Sequence, residues 1–284
     1  MRILLTNDDG VDAPGLRALA DALSTLGEVT VVAPARNQSA VGRGLSYGRM
    51  GPDRDNEGDL GLGDGEDDPF TVTIPHESHD LGYAVHGTPC DCVILGVGAF
   101  DPDVVVAGCN GGANLGVHVL PRSGTASAAT EAASLGVPGV AVSMDVLGLD
   151  RSALVPDHFE RASRVGRDVV ARAVEGDAFD DLDYLNVNIP GPERPLDGLS
   201  VTHPTPQYDM HADLADGRFS LHNPLWAEMA SGDIPDDEGT DRRALLADRV
   251  SVSPLTLPRS GIDDRIVARL DGLFSGVAGR AGGR

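Results

Sequence analysis

Lysine is absent from this 284-residue chain: all 22 basic residues are arginine, against 44 aspartates and glutamates, for a formal net charge of −22. Such a surface has no basic footprint for polynucleotides or anionic membranes, which argues against both as partners. Its self-repulsion is tolerable in a molar-salt interior, where the Debye length falls to roughly 3 Å. Aromatics make up only 4% of the residues. An acidic, aromatic-poor chain can also be disordered, but the Val/Ile/Leu/Ala runs between the acidic stretches read as a packed core. No run approaches the roughly twenty apolar residues of a membrane-spanning helix. The N-terminus shows no leader pattern, so a soluble cytoplasmic protein is expected. The three cysteines, Cys90, Cys92 and Cys109, have neither C-x-x-C spacing nor an even count. They read as small buried hydrophobes in a reducing compartment.

What is present is an alternation of apolar strands and helices. Residues 2–5 and 29–33 read as strands around a helix over 14–26, forming a βαβ unit. Further strands are predicted at 104–107, 139–143, 184–189 and 249–252, with helices over 126–135, 157–174 and 262–273. Cys90 and Cys92 fall in another helix, opened by Thr88-Pro89 with Asp91 in its first turn, which reads as structure. Strands without in/out alternation, separated by helices, predict an α/β fold with a mostly parallel sheet covered on both faces. The segment 51–68 alternates Gly with Asp and Glu and reads as an exposed, mobile acidic loop. Within it Asp53, Asp55, Glu57-Gly58 and Asp64 half imitate an EF-hand loop without the flanking helices. The expected organisation is an α/β core over 1–200 and an arm or small subdomain with a tail helix over 201–284.

In an open parallel sheet, ligands sit outside the carboxyl ends of the strands. There the sequence places Asn7-Asp8-Asp9-Gly10, then Arg36-Asn37-Gln38-Ser39, then Asn110-Gly111-Gly112-Ala113-Asn114. Paired carboxylates with a hydroxyl and a side-chain amide form an all-oxygen donor set that favours magnesium or manganese over zinc. The competing reading of Asp8-Asp9-Gly10 is a helix N-cap and turn ahead of Pro14. Ser123-Gly124-Thr125 opens the helix after the glycine-rich loop, where free N–H groups favour an anion; the competing reading is a plain serine cap. The eight histidines form no cluster, and His118, nearest the loop, reads as a surface residue.

These stretches, in this order, resemble the SurE survival-protein family. The matching pieces are residues 2–10, 31–40, Gly87-Thr88-Pro89 with Asp91, the Asn110 to Gly116 glycine-rich loop, Ser123-Gly124-Thr125, Asn186-Val187-Asn188-Ile189-Pro190 and, thinly, 250–255. The resemblance implies a Rossmann-like three-layer sandwich and a nucleotidase that hydrolyses nucleoside monophosphates. It implies one divalent cation, magnesium or manganese, held by Asp8, Asp9, Ser39 and Asn110. Asn114, Ser123, Gly124 and Thr125 would line the phosphate pocket, and a C-terminal oligomerisation arm would be exchanged in a homodimer or homotetramer. Leu120-Pro121-Arg122 departs from the family pattern; Arg122 is expected either to add a phosphate contact or to face solvent. Three alternatives stay open at this stage: an aspartyl-phosphate mechanism through Asp8, a non-catalytic nucleotide-binding stress protein, and a broader phosphatase or short-chain polyphosphatase.

Overall fold

The computed structural model of the chain describes residues 1–47 and 72–258. The acidic segment 51–68, with its EF-hand-like half, and the helix expected over 262–273 lie outside the described residues. In chain order the elements are β1 (Arg2–Thr6), α1 (Pro14–Leu23), β2 (Glu28–Pro34), β3 (His76–His79), β4 (Gly82–Val85), α2 (Pro89–Phe100), β5 (Val104–Gly111), α3 (Gly124–Ser134), β6 (Gly139–Met144), α4 (Pro156–Glu175), β7 (Tyr184–Ile189), β8 (Leu199–Val201), β9 (His211–Ala215), β10 (Arg218–His222), α5 (Leu225–Ser231), α6 (Asp241–Leu246) and β11 (Val250–Leu255).

Nine strands form one sheet in the order β3-β4-β2-β1-β5-β6-β7-β11-β8. From β4 to β7 every neighbouring pair is parallel, while β3 and β11 run antiparallel to β4 and β7. The strand period of two divides the core between the faces. Ile3, Leu5, Val104 and Val106 point to α1 and α4, where they meet Leu16, Leu19, Leu23 and Phe159. Leu4, Val32, Val105 and Ala107 point the other way, against Cys92 and Val93 of α2 and Ala128 and Ala132 of α3. This is the three-layer α/β arrangement that the unalternating strands predict. Alanine-rich α3 lies close to the sheet because its small side chains permit it.

The sheet does not stop at residue 200. β11 returns from the C-terminal region and inserts between β7 and β8, pairing Ser251 with Asn188 and Val252 with Val201, so the boundary expected there falls within a single sheet. The Pro-rich stretch before this strand carries no local sign of its long-range pairing. The intervening excursion is rooted by buried charge. Asp241 accepts N–H bonds from Gly116 at 2.7 Å and Thr205 at 3.1 Å, and Arg242, 1% exposed, pairs with Asp209 and Asp236. What stands away from the core is the hairpin β9–β10, exposed along its whole length.

Candidate metal and phosphate site

The three polar clusters expected after strands converge, at the carboxyl ends of β1, β2 and β5. Asn7 shapes the first turn by donating from Nδ2 to the Gly10 carbonyl at 2.8 Å and accepting the Gly10 N–H at 3.2 Å. That turn presents Asp8 and Asp9 outside β1. Neither caps α1, whose N-cap is Ala13 with no side-chain bond and Pro14 in its first turn. The plain capping reading of the two aspartates therefore fails.

Asp8 is 3% exposed and faces the start of α3. It accepts the Thr125 hydroxyl at 2.6 Å. Gly124 is required beside it, because a Cβ there would stand 2.6 Å from Asp8 Cβ and 2.8 Å from Oδ2. Burial pushes the Asp8 carboxyl up to about 6, opposed by the Thr125 bond. Asp9 lies on the other side, accepting the Gly111 N–H at 3.2 Å and the Asn37 amide at 3.3 Å. Its pKa is also raised, chiefly by burial, with Gly111, Arg151, Ser39 and Asn37 pulling it down. Ser39 is tied to the same loop by its N–H, which donates to Asn37 Oδ1 at 2.9 Å.

Asn110 is aimed by an irregularity. The β5–β6 register shifts between Ala107 and Asn110, and Gly108 takes φ +136°, where a Cβ would lie 2.1 Å from the Val142 carbonyl. Such a bulge redirects the following side chain. Asn110 donates from Nδ2 to the Gly112 carbonyl at 3.1 Å, while its Oδ1 is buried and has no partner among the described residues. A buried acceptor left open costs free energy unless something occupies it. Two desolvated carboxylates, a hydroxyl and that orphaned amide oxygen fit a hard divalent cation. Among the described residues no group of three or more His, Cys, Asp and Glu could hold a metal, so any cation here depends on neutral oxygens beside Asp8 and Asp9.

The expected phosphate residues separate into two kinds. Ser123 is the N-cap of α3 and accepts the Ala126 N–H at 3.0 Å, so the cap reading holds for its oxygen. Thr125 donates to Asp8. Asn114 donates from Nδ2 to Ser143 Oγ at 3.0 Å; its own N–H goes to Asn188 Oδ1, and its carbonyl accepts the Asn186 and Asn188 amides. The Asn186 and Asn188 roles were missed in the sequence, although two asparagines two apart in a wholly buried strand signal a required polar face. Arg122 is exposed, as the solvent-facing alternative expects, and there it donates to Tyr208 Oη at 3.1 Å and lies 5.5 Å over that ring. Asp91, as expected, completes the capping box of α2 with Thr88. His118 is exposed and packs edge-on against Tyr208.

Beside Asp9 opens a cleft of about 330 Å³, lined by Asn37, Gly111, Arg151 and Ser152 on its polar side and Pro14, Leu154 and Phe159 on its apolar side. An ionic floor next to a partly apolar wall suits a phosphorylated molecule with a less polar remainder.

A family model described as survival protein SurE matches residues 3–210. A 5'-nucleotidase SurE of Haloarcula marismortui is 46% identical over 265 residues, covering 91% of this chain and 89% of that protein. One of Natronomonas pharaonis is 48% identical, covering 91% and 93%. The crystal structure of the SurE protein from Aquifex aeolicus superposes with a TM-score of 0.70 at 31% identity, covering 96% of this chain and 99% of that one. With a family model matching residues 3–210 and relatives 46% and 48% identical over 91% of its length, the chain belongs to the SurE family.

Proposed function

We infer that the chain is a 5'-nucleotidase, a phosphoric monoester hydrolase that converts nucleoside monophosphates to nucleosides and phosphate with one divalent cation. The observation that carries this reading is the juxtaposition of Asp8, Asp9 and the open Asn110 oxygen with the N-terminus of α3. The names of its relatives support the activity. Asp8, Asp9, Ser39 and Asn110 would hold the cation. When bound, a magnesium or manganese ion supplies Lewis-acid polarisation of a phosphoryl oxygen and acidifies water.

The remaining steps belong to the protein. Thr125 and Gly124 fix Asp8, and Gly111 and Asn37 fix Asp9, so the carboxylates need little reorganisation. The N–H groups and positive end of α3 favour the anionic phosphoryl group. The side-chain amide of Asn114 donates one N–H to Ser143, on a backbone held by Asn186 and Asn188, and its second N–H is a donor for charge on the equatorial oxygens. Asp8 serves better as a holder than as an attacking nucleophile, because it is buried and one oxygen already accepts Thr125. An acid-stable, hydroxylamine-sensitive acyl phosphate in rapid-quench labelling would reverse that assignment.

No described helix is long and apolar enough to cross a membrane. The hairpin β9–β10 is the arm through which subunits would exchange. Phosphate release from a panel of nucleoside monophosphates, with and without divalent cation in molar potassium chloride, tests the activity. Release without cation, or none with it, would contradict it. Asp9→Asn removes a ligand charge at nearly constant volume and should lower cation-dependent turnover at least about 100-fold while leaving the far-UV spectrum unchanged. Near-wild-type turnover would remove Asp9 from the cation site.

A further inference from the structure

Arg151 carries no sequence signal, yet among the described residues it is the arginine that forms an ion pair with one of the two carboxylates. It opens a short 3-10 turn, Arg151–Ala153, after β6. Its Nη2 lies 4.0 Å from Asp9 Oδ1, with the side chain 60% exposed. Both terminal nitrogens lie 3.8 Å from where a Cβ on Gly112 would stand, as does the Asn110 amide nitrogen. The guanidinium thus reaches over the glycine-rich turn into the cleft beside Asp9.

The ion pair with Asp9 does not account for this placement. At 4.0 Å it includes no hydrogen bond, and an exposed pair of that length adds little stability. Among the described residues Arg151 donates no hydrogen bond, so its planar fork of donors is open to the cleft. Three other arginines are engaged elsewhere: Arg122 with Tyr208, Arg194 with Asp248, Arg242 with Asp209. Charge balance also calls for a cation here. Two carboxylates and a divalent cation are together neutral, and a phosphate monoester arrives near neutral pH with close to two negative charges. The start of α3 serves the Asp8 side, and on the Asp9 side Arg151 supplies the positive charge of the cleft lining. A guanidinium matches two phosphoryl oxygens at once, as an ammonium does not.

We propose that Arg151 is a substrate-binding residue that donates to the phosphoryl oxygens of the nucleoside monophosphate from the Asp9 side of the site. The assignment rests on the nucleotidase reading above. It is tested on the full chain in molar potassium chloride with Arg151→Gln and Arg151→Lys. Three quantities are followed: kcat/KM for a nucleoside monophosphate, the inhibition constant of inorganic phosphate, and manganese affinity by calorimetry without substrate.

Arg151→Gln should lower kcat/KM about 10- to 100-fold, the usual range for losing hydrogen bonds to a charged group. Phosphate inhibition should weaken by a similar factor, and manganese affinity should not fall. Arg151→Lys should recover only part of the loss, because it keeps the charge and loses the fork. Unchanged phosphate inhibition in Arg151→Gln would overturn the proposal. So would a manganese affinity that falls in step with activity, since Arg151 would then act by organising Asp9. A wild-type chain that releases no phosphate would sink the nucleotidase reading itself, whereas an active wild type with an indifferent Arg151→Gln sinks only this inference.

Discussion

Asp8 and Asp9 were legible in the sequence because paired carboxylates after an apolar strand, with a glycine to turn the chain, are a conspicuous local pattern. Their ionisation was not legible, because it depends on which helix covers them. Asp8 is raised from 3.8 to about 6, chiefly by burial. A folded pKa above the unfolded one means that the cation-free fold binds this proton more tightly than the unfolded chain. The stability contributed is fully present below the unfolded pKa and is lost as the pH rises through about 6, amounting to roughly 3 kcal/mol. A divalent cation restores the balance and needs the deprotonated form, so its binding weakens as the pH falls through the same value. In chelator, the melting temperature should therefore fall between about pH 4 and about pH 6 and level off above, and Asp8→Asn should flatten that slope. Added manganese should stabilise the wild type above about pH 6 and act weakly below it. An identical slope in wild type and Asp8→Asn would show that this carboxyl does not titrate abnormally.

The hairpin β9–β10 shows how element geometry creates a property that a residue list conceals. Its register places Leu214 opposite Phe219 and Ala212 opposite Leu221, and residues two apart share a face. One side of the ribbon is therefore wholly apolar, with Leu214, Phe219 and Leu221 60%, 85% and 70% exposed. A two-stranded ribbon is marginal alone, and burying three such side chains gains on the order of 5 kcal/mol. That favours an arm seated on a second copy of the chain. Phe219→Asp combined with Leu221→Asp should lower the particle mass in light scattering and leave cation binding at the distant carboxylates unchanged. A monomeric wild type, or a variant mass equal to wild type, would remove the hairpin from any subunit contact.

The whole molecule carries a net charge of −22 without a single lysine, and that determines how it responds to salt. Lengthening the Debye length from roughly 3 Å at 1 M to 10 Å at 0.1 M strengthens self-repulsion in the compact state. Dialysis to low salt should lower the melting temperature and the activity, and molar chloride should restore part of both. Saturating magnesium should not prevent the loss, because one bound cation neutralises few of the surplus charges. A melting temperature that stays flat across a chloride series would mean that the acidic surface has another origin. Composition, the unalternating strands and the three polar clusters behind them were readable directly, since each rests on near neighbours in the chain. The return of β11 into the sheet, the diversion of Arg122 to Tyr208 and the arrival of Arg151 beside Asp9 were decided only on folding. Each joins groups separated by tens of residues or more, and nothing local in a sequence encodes which side chain meets which across that distance.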